Sequence, residues 1–274
     1  MTARAERPWV RTLLVVALLI PIAFPLYWAL VASLTSEAAL FSHPSIWPSD
    51  PIISHYRALF ATRDFWTPIR NSLVVAATTT ALCVTIGALA AYALARLRFR
   101  GRDLVLGAML AVGMFPQVAL VSPLFLLLRA LGLLNTYPGL VLPYFTFALP
   151  VTVWLLVSYF RQLPPDVEEA ALVDGASRLR VLREIVLPMA MPGVATSAVL
   201  TFIYCWNELL LALSFTTGPE RATVPVAVAL FRSEHQVPWG QIFAATVVST
   251  VPVVALVLAF QRRIVAGLTA GSIR

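Results

Sequence analysis

The chain has 274 residues, of which 59% are hydrophobic and only 12% charged, with a mean hydropathy of +0.84. A soluble domain carries about 25% charged residues, so a water-soluble globular protein is excluded as the default. The net charge of +7 is carried by arginines that flank apolar runs and form no face of their own, which argues against nucleic-acid binding and for topology signals at a membrane surface.

A bilayer core of about 30 Å takes about 20 apolar residues in a helix. In chain order, six long apolar runs, uncharged but for Glu208 towards the end of the fifth, meet that length and predict helices over about 12–34, 72–95, 104–128, 137–160, 189–213 and 241–261. The first follows Arg4, Arg7 and Arg11, is too long for a signal-peptide core and holds Pro21 and Pro25, so an uncleaved anchor is expected. Pro116 and Pro123 in the third run, and Pro138, Pro143 and Pro150 in the fourth, predict kinks of the kind membrane bundles tolerate around a path. No run alternates as a barrel strand does. The expected fold class is an all-α integral membrane protein: one domain over 1–274, with an inward loop at 161–188 and an outer loop at 214–240.

Direction follows from the arginines. All 20 basic residues are Arg; fourteen lie on the side of the two termini and six on the other. The richer side is expected to be cytoplasmic, so both termini face inward. The absence of Lys also excludes a P-loop, which needs one at the β- and γ-phosphates. Cys83 and Cys205 lie in separate apolar runs and read as small buried hydrophobes. His43, His55 and His235 are far apart in outer loops. They are expected to be solvated, and no metal site is expected.

The inward loop carries most of the information. It reads RQLPPDVEEAALVDGASRLRVLREIVLPMAMP from Arg161 to Pro192. Pro164 and Pro165 stop the fourth helix. Asp166 is placed to cap a short helix, with Glu169 completing a capping box. Glu168 and Glu169 suit the positive end of that helix, and Gly175 suits a left-handed terminator. Ser177 is placed to cap a second short helix bearing Arg178, Arg180 and Arg183. The product is a helix–turn–helix at the membrane surface with an alanine face at Ala170 and Ala171 beside paired acids. A solvated connector and a docking knob for another protein both fit.

The spacing Glu169-Ala170-Ala171, three residues, Gly175, nine residues, Ile185-x-Leu187-Pro188 resembles the EAA loop of binding-protein-dependent ABC importer permeases. Arg70-Asn71-Ser72, the run Ala91-Tyr92-Ala93-Leu94-Ala95-Arg96, Trp206-Asn207-Glu208 and the tail from Gln261 to Thr269 resemble the carbohydrate subgroup, most of all the second permease subunit of maltose- and trehalose-type importers. The resemblance implies a type I permease of six helices that pairs with a homologous permease in a bacterial inner membrane. Two ATPase subunits, holding ATP and Mg, would dock on it, and an extracytoplasmic sugar-binding protein would deliver the sugar. This chain would be no enzyme and would hold no cofactor. On this reading Glu168, Glu169, Ala170, Ala171, Asp174, Gly175, Ile185, Leu187 and Pro188 couple to the ATPase, and Gln261, Arg262, Arg263 and Gly267 touch it from the tail.

Two further sets are candidates. A carboxylate in hydrocarbon costs about 3 kcal/mol or more, so Glu208 is expected to face the bundle interior or water. With Tyr204, Trp206 and Asn207 it either lines the sugar path, or holds the helix to its partner, or sits near the outer interface. In the outer loop, Pro219, Glu220, Arg221, Val224 and Pro225 are candidates for contact with the binding protein, as the resemblance implies. The alternatives are an ion-driven secondary transporter, for which Glu208 is the one intramembrane carboxylate on offer, and an integral membrane lipid-modifying enzyme, whose polar cluster only the inward loop could supply.

Overall fold

The computed structural model describes residues 8–42, 45–48, 50–231 and 237–270. In chain order the helices are α1 (Pro8–Ser33), α2 (Glu37–Ser42), α3 (Ser54–Ala61), α4 (Trp66–Arg96), α5 (Arg102–Gly113), α6 (Gln117–Ala130), α7 (Tyr137–Phe160) and α8 (Asp166–Val173). They continue with α9 (Arg178–Val181), a π-turn at Leu182–Val186, α10 (Leu187–Met189), α11 (Met191–Trp206), α12 (Leu210–Phe215), α13 (Val224–Ala229) and α14 (Trp239–Ala270). No strand occurs among the described residues.

Four helices are long and apolar enough to cross a membrane alone: 12–33, 66–96, 137–160 and 239–262. Two further spans exist only as bent pairs. Arg102–Gly113 and Gln117–Ala130 meet at 86°, and Arg178–Met189 and Met191–Trp206 at 82°. A kink was expected in the third run from Pro116, whereas the fifth was expected as one unbroken helix; proline explains both breaks. Pro116 disfavours helical backbone at Phe115 and stands, extended, before α6. Pro188 and Pro192 flank the bend at Ala190, each removing a helical N–H. By contrast, Pro143 and Pro150 lie inside an unbroken α7, whose neighbours hold it in register.

The chain forms two compact units. One comprises Met1–Phe65 and Val228–Val251. Here α1, uncharged from Thr12 onward, leads to a polar-tied cap. Ser33 and Tyr56 share a hydroxyl hydrogen bond of 2.7 Å, His55 Nε2 lies 3.0 Å from the Thr35 carbonyl, and Gly240 N donates to Glu37 Oε1 at 2.9 Å. His55 is therefore not solvated as expected. It is buried against Gly240, where a Cβ would sit 2.3 Å from its ring. His43 and His235 lie outside the described residues. Arg63 donates to Gln241 at 2.7 Å and stacks 4.7 Å over the Phe231 ring.

The other unit comprises Trp66–Ala227 and Pro252–Arg274 and is built on α4, α7 and α11. Its first core joins Val75, Leu140, Tyr144, Phe147, Leu211 and Phe215. The free thiols Cys83 and Cys205 are buried there, as expected of small hydrophobes. A second core joins Ala91, Leu156 and Phe160 to Val181, Leu182 and Val186 of the 161–188 loop, so that loop is a wall of the bundle. Close approach of α11 to α7 needs Gly193, whose Cβ would lie 2.3 Å from the root of the Tyr159 ring. Gly193→Ala is expected to lower stability by about 1–3 kcal/mol, the usual effect of overpacking. Thermal unfolding of the purified protein checks it, and an unchanged melting temperature would refute the packing argument.

Candidate functional site

The 161–188 loop begins where α7 ends and the prolines intervene. Pro165, not Asp166, is the residue before the first turn of α8, and its carbonyl accepts the N–H groups of Glu168 and Glu169 at 3.0 Å each. The expected Asp166–Glu169 capping box is absent. With Asp166 itself in helical backbone, its carboxylate cannot turn back as a cap. It still stands in the first turn, where the helix dipole favours it.

The two glutamates part company. Glu168 is 7% exposed and its Oε1 accepts from Arg96 Nε at 2.7 Å. Arg96 also donates from Nη2 to the Leu163 carbonyl at 2.9 Å. One guanidinium therefore ties the end of α4 to both the start of the loop and α8. Glu169 points out. The alanine face divides likewise: Ala170 is exposed, whereas Ala171 and Leu172 pack on the second core.

At the far end Gly175 has φ +84, the left-handed terminator expected. Ala176 N donates to Ala171 O at 3.0 Å and Gly175 N to Leu172 O at 3.1 Å, the reciprocal pattern of a Schellman turn. Ser177 caps α9 as expected, its hydroxyl accepting from Arg180 N at 3.3 Å. The chain then returns to the bundle through the π-turn. Ile185 is half-buried, Leu187 packs on the second core and Pro188 is exposed.

Sequence reasoning missed the apolar part of this surface. Val173 is 87% exposed, and Val167 and Leu179 are exposed with it. Together with Glu169, Ala170 and Asp174 they make a rigid, partly apolar knob. The missed signal was the helix length: a helix of 8 residues with one face on the core must turn its other apolar residues outward.

The second candidate set lies at a break. Residues 207–209 separate α11 from α12, and Glu208 stands in the gap, 7% exposed. Its two carboxylate oxygens accept from Leu211 N at 2.8 Å and Ala212 N at 3.0 Å. The charge thus satisfies the orphan amides of α12 and complements its dipole. Trp206 is buried and stacks 5.8 Å from Phe202. Tyr204 and Asn207 are exposed; Gln117 Nε2 donates to the Tyr204 hydroxyl, and Asn207 Nδ2 to the Ile203 carbonyl at 2.8 Å. Two of the four therefore face an accessible surface and two frame it.

The third set is clipped to the bundle. Asn71, fully buried, donates from Nδ2 to the carbonyls of Glu220 and Ala222, both at 2.9 Å, and accepts from the Tyr137 hydroxyl at 2.8 Å. Ser72 Oγ accepts from Val224 N at 2.8 Å. The Arg221 guanidinium lies 4.4 Å over the Tyr137 ring. Val224 is buried, leaving Pro219 and Glu220 as the exposed tip. Of the tail, Gln261 and Arg262 are exposed on α14; the side chains of Arg263 and Gly267 lie outside the described residues.

Comparison with known proteins finds relatives along most of the chain. Residues 83–269 match the family described as binding-protein-dependent transport system inner membrane component. The chain is 44% identical over 252 residues to the trehalose transport system permease protein SugB of Mycobacterium tuberculosis, covering 91% of this chain and 92% of that one. It is 44% identical, again over 252 residues, to the sulfoquinovosyl glycerol transport system permease protein SmoH of Agrobacterium fabrum (92% and 88% covered). It is 42% identical over 253 residues to the trehalose/maltose transport system permease protein MalG of Thermococcus litoralis (92% and 91% covered). Among solved structures, a chain of a bacterial ABC transporter that imports the acidic polysaccharide alginate superposes with a TM-score of 0.80 at 24% identity, covering 96% of this chain and 98% of that one, a likeness of fold.

Proposed function

The chain belongs to the family of binding-protein-dependent transport system inner membrane components and is a multi-pass permease subunit of the ABC importer type, and from that premise we propose that it forms half of a sugar-translocation pore driven by separate ATPase subunits. Counting each bent pair as one span gives six crossings, with both termini in the cytoplasm. A homologous permease supplies the other half of the pore. Two ATPases, carrying ATP and Mg, dock on the α8 knob and on the tail at Gln261, Arg262, Arg263 and Gly267, and a solute-binding protein presents the sugar at the Pro219–Glu220 tip. Tyr204 and Asn207 line the path, framed by Trp206 and Glu208. The cargo is a carbohydrate, a di- or oligosaccharide or a related glycoside; relatives at equal identity named for different cargoes, trehalose and sulfoquinovosyl glycerol, support the class rather than one sugar.

The observation that carries this reading is the knob itself: an outward Glu169–Ala170–Val173 surface closed by a left-handed Gly175 and anchored inward by Glu168. A purified complex is expected to contain an ATPase and a second permease. Glu169→Lys reverses the outward charge, and Gly175→Pro demands φ near −65° where the turn needs +84°. Both are expected to release the ATPase while the second permease stays bound. Sugar uptake by the lone polypeptide, or ATPase retained in both variants, would overturn the proposal.

A further inference from the structure

The turn between α4 and α5 passes through Gly101 at φ +85, which gathers Arg98, Arg100 and Arg102 at one place. Two adjoining cavities open there. One, of about 670 Å³, is lined by Arg96, Arg98, Arg102, Glu168, Glu169 and Arg178 with apolar neighbours. The other, of about 730 Å³, is lined by Arg98, Phe99, Arg100, Arg102, Asp103 and Leu104. Arg98 and Arg102 belong to both.

The charges there are unbalanced. Glu168 is taken up by Arg96, and Asp103 lies between Arg102 at 3.5 Å and Arg161 at 3.6 Å, which leaves Glu169 as the one further acid on the walls, against Arg98, Arg100 and Arg178. Arg98, Arg100 and Arg178 form no ion pair with any described residue. Like charges facing one concave space repel, and an anion relieves them. The rim is apolar: Leu104 is 77% exposed, and Phe99 is exposed beside it. The arginines also follow directly on the apolar span that ends at Arg96 and precede the one that opens at Arg102, the level at which basic pockets meet lipid headgroups. A free phosphate has no use for Phe99 and Leu104; a diacyl phospholipid has.

We propose that this arginine-lined cleft binds the headgroup of an anionic phospholipid, its phosphate held by Arg98, Arg102 and Arg178 and its acyl chains against Phe99 and Leu104. The proposal rests on the proposed function only for the leaflet, which is the cytoplasmic one. Because Pro165, Glu169 and Leu172 form part of the same cavity wall, a seated lipid bears on the orientation of α8.

The test uses the assembled, detergent-purified and delipidated complex. It is titrated with phosphatidylglycerol, phosphatidylcholine or inorganic phosphate, and read by retained lipid in native mass spectrometry and by melting temperature. Phosphatidylglycerol is expected to bind and stabilise where phosphatidylcholine does not. Arg98→Gln and Arg102→Gln are each expected to weaken it about fivefold, with the ATPase still bound. Equal retention in the double variant would overturn the proposal, and so would equal stabilisation by inorganic phosphate. Loss of the ATPase from the double variant would assign the arginines to that contact and also overturn it. Absence of the ATPase from the unaltered complex tests the transport reading instead, so the two failures are distinguishable.

Discussion

Arg96→Ala is expected to lower the stability of the complex by about 3 kcal/mol, the usual consequence of leaving one member of a buried pair uncompensated. Its guanidinium makes two contacts, to Glu168 Oε1 at 2.7 Å and to the Leu163 carbonyl at 2.9 Å. Without it a buried carboxylate and a loop carbonyl lose their donor together. Glu168→Gln is expected to be milder, because an amide oxygen still accepts from Arg96 while the neighbouring carbonyl keeps its bond. The order Arg96→Ala, then Glu168→Ala, then Glu168→Gln therefore follows from the geometry. The charge-swapped pair Arg96→Glu with Glu168→Arg is expected to recover part of the loss, since the tie between α4 and α8 reforms without the Leu163 bond. A double-mutant cycle on melting temperature measures this, and contacting residues give coupling energies of about 0.5–3 kcal/mol. A coupling energy near zero would refute it. If α8 receives the ATPase stroke, the uncoupled variants hydrolyse ATP with reduced sugar uptake, because the stroke no longer reaches α4.

Asn71→Leu keeps the number and branching of the side-chain heavy atoms and removes every hydrogen bond. It is expected to destabilise the protein by about 3 kcal/mol or more, because two carbonyls and a hydroxyl lose their partner and each unmet buried group costs about 1–3 kcal/mol. The effect is directed: the orphaned groups belong to Glu220, Ala222 and Tyr137, so the 219–224 segment is expected to come loose before the bundle melts. Limited trypsin digestion reads this at Arg221, whose guanidinium rests on the Tyr137 ring in the intact protein. Rapid cleavage in Asn71→Leu with a resistant parent is the expected result; equal resistance would show that the loop is held by other means. Tyr137→Phe removes one bond of the three and is expected to lower stability by about 1 kcal/mol.

Much of the 161–188 loop was legible in the sequence because its signals are local. Gly175 and Ser177 act on their own turn through backbone angle and side-chain reach, and both stand where expected. Asp166 misled because a capping side chain needs a residue just outside the helix, and the helical turn already starts at Pro165, which has no side chain able to cap. The division of labour between Glu168 and Glu169 was not legible. Adjacent acids look alike until it is known which faces Arg96, a residue 72 positions from Glu168.

Asn71 and Ser72 make the same point. As sequence they mark a likeness at the start of α4; only the folded chain brings them to carbonyls and amides about 150 residues away. Glu208 was noticed for its charge, yet nothing local to it, no Pro or Gly, announces the break that turns it into a cap for α12. The helical membrane class follows from composition alone. Run length and the lack of charge decide it, because hydrocarbon offers no partner to a backbone outside a helix. The prolines mark where spans can bend, but which acid is buried and which loop is pinned were decided by tertiary packing, because those outcomes depend on pairings between distant residues that no local pattern encodes.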